Sequence, residues 1–241
     1  MVLRFKVSLC LCIVFLFLGC TDFERENPYD PGGDKYRGGY LSSSSRPSSS
    51  SSKTASSSSS AIQGGISYGT LLYQGQNYKT VQIGSQVWMA ENLNYNVSGS
   101  VCYNNNSSNC ATYGRLYNWA TARTICPSGW HLPSDAEWTM LTNYVESQGG
   151  CSSCAGTRLK ATSGWSSNGN GTDNHGFSAL PGGSGYSDGD FSIVGNVGYW
   201  WSSTEYGTSN AWYRSMYYYH SEVGRGNYNK SYLYSIRCLR D

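Results

Sequence analysis

The chain has 241 residues, with 17 Lys plus Arg against 15 Asp plus Glu, and only 13% of its residues are charged. Residues 62–241 hold ten basic and ten acidic side chains, so the small positive excess lies outside that segment and no nucleic-acid footprint is expected. Aromatic residues make up 15% of the chain, enough apolar area to exclude disorder over its whole length, and 62–241 suits one domain with a core of its own.

Residues 1–19 begin with Arg4 and Lys6, run apolar from Val7 to Leu18 and end on Gly19, just before Cys20. That pattern is a signal peptide, too short to span a bilayer as a mature helix. The stretch "FLGC" resembles a bacterial lipobox, although Phe17 stands where leucine is usual. Cys20 is therefore the expected lipid attachment point and a membrane partner through that anchor is expected. Asp22, Glu24 and Glu26 follow closely, which resembles export signals of surface lipoproteins and points to an outward-facing outer-membrane location. Residues 20–61 are serine-rich and read as a flexible tether, with a root-mean-square reach of about 35 Å.

With the signal and the lipidated cysteine set aside, Cys102, Cys110, Cys126, Cys151, Cys154 and Cys238 remain. An even set in an exported chain reads as disulfides, and spacing alone does not choose among the possible pairings. The near pairs Cys102 with Cys110 and Cys151 with Cys154 are expected, which leaves Cys126 with Cys238.

In "YKTVQIGSQVWMAENLNY", Val81, Ile83, Val87 and Met89 share one phase about Gly84–Ser85, a hairpin signal. "RLYNWATA" reads as a short helix with Leu116, Trp119 and Ala120 on one stripe. Ser134 and Glu137 form a capping box, and Trp138, Leu141 and Val145 then recur at helical spacing. Asp135 lies in the first turn, and the two carboxylates point to different sides, which argues against paired acid–base chemistry. Residues 149–198 read as long loops. The remainder returns to strands, with Tyr232, Tyr234, Ile236 and Cys238 on one face.

Candidate chemistry is sparse. His131, His175 and His220 are far apart in sequence, and Asp173, Asp188 and Asp190 offer oxygens to a structural calcium against the favoured reading of a solvated turn. No cofactor is otherwise expected. "CSSC" shows no following helix start that would activate a thiol. Ser202 and Ser203 lack the nucleophile-elbow pattern that would join them to His220. The aromatic residues remain: Trp165, Trp200, Trp201, Tyr213, Tyr217 and Tyr219 are the expected ligand-contacting set, with cross-strand packing as the competing reading.

The motifs "QVWMAENLNY", "YGRLYNWATA", "GWHLPSDAEW", "GFSALPGG", "GYWWSSTE" and "SIRCLRD" occur in this order over residues 66–241, and together they resemble the Fibrobacter succinogenes major paralogous domain. That resemblance implies an α+β, C-type-lectin-like fold with twisted antiparallel strands, few short helices and long disulfide-tied loops. It also implies similarity to formylglycine-generating domains. The calcium-binding tripeptides of sugar-binding C-type lectins do not occur here, and the late part of the chain holds only Cys238 where formylglycine-generating enzymes use a cysteine pair. The expectation is a non-enzymatic, lipid-anchored surface module for a glycan or protein partner. The alternatives are an enzyme of sulfatase-modifying or hydrolase type and a purely structural envelope protein.

Overall fold

The computed structural model describes residues 61–63 and 65–241; the signal segment, Cys20 and the tether up to residue 60 lie outside the described residues. Strands β1 (Ala61–Gln63), β2 (Ile66–Tyr73), β3 (Gln76–Ile83) and β4 (Gln86–Met89) follow one another as antiparallel neighbours. The β3–β4 hairpin turns on Gly84 and Ser85, with Gly84 at φ 62°, a left-handed conformation natural to glycine. Its phase differs from a single odd-numbered stripe. A two-residue turn sets Ile83 opposite Gln86 and Val81 opposite Trp88, which reverses the numbering parity. Val81, Ile83 and Trp88 therefore share one face, and Met89 joins Tyr78 on the other.

Strand β5 (Ser100–Val101) pairs with β6 (Leu116–Tyr117) around helix α1 (Ser107–Tyr113). The helix expected over "RLYNWATA" is shorter: Leu116 and Tyr117 are strand, and α2 covers only Trp119–Ala122. Asn118 is the reason, since it is extended and its side chain accepts from the Thr121 N–H as a cap. Ala120 is consequently exposed rather than on a buried stripe.

After β7 (Trp130–His131), helix α3 (Asp135–Gly149) starts on the Ser134–Glu137 capping box and ends at Gly150 in a left-handed conformation. Trp138, Leu141 and Val145 are its buried stripe. Helix α4 (Ala155–Leu159) follows directly on Cys154, a helix start that the sequence does not suggest. The hairpin of β8 (Ser184–Gly185) and β9 (Phe191–Ser192) precedes a three-stranded antiparallel sheet of β10 (Val197–Tyr206), β11 (Asn210–Tyr217) and β12 (Gly224–Asn229). Finally β13 (Leu239–Arg240) enters between β4 and β7 and completes a sheet ordered β1-β2-β3-β4-β13-β7. The run before it forms isolated bridges, such as Tyr117 with Tyr234 and Trp200 with Ser235, not one long strand.

Two hydrophobic clusters result. One gathers Tyr78, Met89, Tyr117, Trp201, Tyr213, Tyr234, Ile236 and Cys238; the other gathers Val81, Trp88, Trp138, Leu141, Phe177, Trp200 and Met216. Alternation along a strand sends neighbouring residues to different clusters, so both faces of β10 and β11 are covered. Disulfides join Cys102 to Cys110, Cys126 to Cys238 and Cys151 to Cys154. Among the described residues no helix is long and apolar enough to cross a membrane.

Candidate functional site

The motifs that make the sequence recognisable converge on buried polar contacts. Arg237 is fully buried and donates to Asn92 Oδ1 at 2.7 Å, Met89 O at 3.1 Å, Ser178 O at 2.8 Å and also to Phe177 O. Its guanidinium lies 4.5 Å from the centre of the Phe177 ring. Burial lowers its pKa to about 9, which still leaves it charged at neutral pH. Trp200 Nε1 donates to the same Asn92 oxygen at 2.9 Å, and Trp201 Nε1 donates to Tyr117 O at 2.9 Å. Four motifs thus meet around one buried cation, and their role is to hold the domain together.

The histidine-and-acid-rich stretch at 130–138 is likewise structural. His131 Nδ1 lies 2.6 Å from Asp241 Oδ1, and its Nε2 lies 3.0 Å from Glu137 Oε1. Burial disfavours its charged form, but the Asp241 and Glu137 bonds and charges outweigh this and raise its pKa. On the other side of α3, Asp135 pairs with Arg214 and receives Arg225 Nη2 at 2.9 Å. Arg225 is itself stacked on Trp212, with Cζ 3.4 Å from the ring centre. The sequence shows the capping box but neither arginine, because both come from strands far along the chain.

Four of the six expected ligand aromatics are corrected by their burial. Trp165 is 5% exposed, Tyr213 3%, and Trp200 and Trp201 are 0% exposed. Strand alternation between two covered faces is the physical reason for β10 and β11, and Trp165 is fixed by a 3.0 Å bond from Nε1 to Ala179 O. Tyr217 is half-buried and Tyr219 is 58% exposed. The three aspartates are not drawn together either. Asp173 accepts from the Ser178 N–H at 2.8 Å and from its hydroxyl at 2.6 Å, whereas Asp188 accepts from the Asp190 N–H at 3.2 Å in an exposed turn. Among the described residues no group of three His, Cys, Asp or Glu could hold a metal ion.

Beside the exposed rings of Tyr144 and Tyr206, two further surfaces among the described residues keep aromatic side chains accessible. On the loop after β11, Tyr219 packs against His220 at 4.3 Å and Tyr217 at 5.7 Å between ring centres. Beneath it, Lys160 is 2% exposed, and its ammonium donates to Tyr217 O and His220 O at 3.0 Å each and to Tyr218 O at 3.4 Å. Burial lowers its pKa. The second surface is a groove of about 610 Å³ lined by Tyr186, Phe191 and Leu233 together with Val101, Asn118 and Ala120. A smaller, more polar cavity of about 330 Å³ lies near Lys79, Glu91 and Asn92. The sequence places Tyr217 and Tyr219 together on a tyrosine-rich strand, whereas β11 ends at Tyr217 and Tyr219 lies on the loop beyond it; the groove was not legible, because its lining comes from four separated stretches.

The described residues define a mixed, disulfide-tied domain of several small antiparallel sheets with few short helices. Residues 81–240 match the sequence model of the family described as the Fibrobacter succinogenes major domain, and the chain belongs to that family. No curated protein and no solved structure matches the chain.

Proposed function

We propose that the chain is a non-enzymatic, lipid-anchored surface module that recognises a glycan or protein partner through its loops and accessible aromatic rings. The observation that carries this reading is the pair of Tyr219 and His220, exposed on the loop after β11 against half-buried Tyr217 at the strand end, with the carbonyls of Tyr217 and His220 clamped from below by a buried ammonium. A ring held on a fixed backbone loses little entropy on binding and offers both an apolar face and a polar tip. The small antiparallel sheets and the long irregular run from 160 to 183 support a C-type-lectin-like arrangement. The signal pattern and Cys20 support attachment to the outer membrane with the domain facing outward. No cofactor is needed for this role.

The test uses the full chain, extracted with its lipid in mild detergent and applied to a glycan array and to solubilised envelope proteins. A ligand retained above background, and weakened by Tyr219→Ala, is expected. Failure to retain any ligand of either kind would remove the binding-module reading. Fatty-acid labelling that persists in Cys20→Ser would remove the anchor.

A further inference from the structure

We infer that the groove lined by the β8–β9 hairpin with residues 230–233 and by Val101, Asn105, Asn118 and Ala120 is a binding site for an uncharged oligosaccharide; the inference rests on the binding-module reading and names its ligand class. At about 610 Å³ the groove has the size of an ordinary small-ligand cleft. Tyr186, Phe191 and Leu233 give it carbon surface, and Asn105, Ser187 and Ser231 place amide and hydroxyl groups at its rim.

Its walls are fixed before any ligand arrives. Gly185 and Leu233 exchange both backbone bonds, at 3.0 and 2.9 Å, and the Tyr186 N–H closes the hairpin tip on Asp190 O at 2.9 Å. A Cβ on Gly185 would meet the Leu233 side chain at 3.0 Å and Phe191 at 3.2 Å, so the absence of a side chain lets the hairpin lie close. Tyr186 packs edge-on against Tyr232 at 4.9 Å, and Phe191 packs against Tyr103 at 5.3 Å. Tyr103 directly follows Cys102 of the Cys102–Cys110 disulfide.

Charge selects the ligand. Among the described residues Lys230 is the one charged residue lining the groove, and its ammonium is already engaged: it donates to Thr208 O at 2.8 Å and Gly207 O at 3.3 Å, lies 3.5 Å from Glu205 Oε2 and sits 4.6 Å from the Trp119 ring centre. Among the described residues that line the groove, none offers an unengaged cation to a carboxylate, sulfate or phosphate, and the exposed carboxylates of Asp188 and Asp190 at the adjacent hairpin tip repel such anions. A pyranose matches what is left, with a C–H face for an aromatic ring and hydroxyls for amides and serines.

The full chain in detergent is screened against neutral and anionic oligosaccharides, and neutral binders are measured by titration calorimetry. Removing one ring, in Tyr186→Ala or Phe191→Ala, is expected to weaken binding about three- to tenfold. Ala120→Trp, on the exposed side of α2 at the groove, is expected to abolish binding without moving the unfolding temperature, while Met140→Ala, an exposed side chain of α3 outside the groove, leaves it unchanged. If Ala120→Trp binds normally and Tyr219→Ala does not, the glycan reading stands and the groove assignment falls. Preference for anionic sugars also overturns the assignment. Capture of a protein with no glycan bound overturns this inference and leaves the binding-module reading intact, whereas no ligand of either kind removes both.

Discussion

Asp135 carries more of the fold than its place in a helical first turn suggests. Burial alone would raise its pKa, but the Arg225 hydrogen bonds and the Arg214 and Arg225 charges hold it below the ordinary carboxylate value. The Arg214 side chain is 3% exposed and that of Arg225 is 41% exposed, so the two pairs are not equivalent. Asp135→Asn leaves a buried guanidinium uncompensated and is expected to cost about 3 kcal/mol or more. Arg225→Ala should cost about 1 kcal/mol or less. Urea unfolding of both variants measures this, and equal losses would contradict it. His131 makes a second residue-scale case. Its pKa is raised, so its contribution is complete below the ordinary value of 6.5 and disappears as pH rises through the raised value. Glu137 is lowered overall: burial opposes its charge, but Ser134 and His131 outweigh burial, so its contribution is present above the ordinary 4.5 and fades as pH falls through the lowered value. The bridge therefore acts fully between those limits. With His131 partly exposed it is worth at most about 1 kcal/mol. Thermal midpoints should decline from pH 6.5 to 8.5, and His131→Gln should flatten that decline. The capping box was legible because its two members are three residues apart. Arg214, Arg225 and Arg237 were not, since nothing local distinguishes a buried, partnered arginine from a solvated one.

At the scale of elements, period-two alternation was legible in β3, β4, β10 and β11, but the face of each residue was not. The hairpin phase depends on the length of its turn, and a two-residue turn exchanges odd for even. The same alternation placed Trp200 and Trp201 on opposite faces of β10, and only the covering elements determine that both faces are buried. The density of tyrosines after Trp212 was legible, but it reads as one strand with alternating faces, and the break of that strand after Tyr217 into a loop was not legible. Nor was the loop's support by Lys160, 57 to 60 residues earlier. Lys160→Met keeps the aliphatic stem but removes the donor from three carbonyls. Leaving such acceptors unpaired costs about 1–3 kcal/mol, and the loss should concentrate at the loop. Hydrogen exchange is expected to quicken at residues 217–220 while α3 keeps its protection. Uniform quickening would show that the ammonium supports the whole domain instead.

At the scale of the whole molecule, neutral charge and two clusters sharing the same strands leave long-range staples as the distinguishing device. Cys126 and Cys238 are separated by 112 residues, Cys102 and Cys110 by 8, and Cys151 and Cys154 by 3. Closing a longer loop removes more freedom from the unfolded chain, giving about 4.8, 2.5 and 1.6 kcal/mol respectively in the chain-entropy model. The first figure is comparable to the entire net stability of many domains. Removing that bond also places two unlinked thiols at the cluster formed by Tyr234, Ile236 and the last strands, where Cys238 is fully buried. The double variant Cys126→Ala/Cys238→Ala should lower the unfolding midpoint by about 10–20 °C, since 1 kcal/mol moves it by about 2–4 °C at this size. The corresponding Cys151/Cys154 variant should lower it by less than half as much. Calorimetry of the three double variants orders them directly. A Cys151/Cys154 loss equal to that of Cys126/Cys238 would mean that local packing at α4, and not loop length, sets what each disulfide contributes.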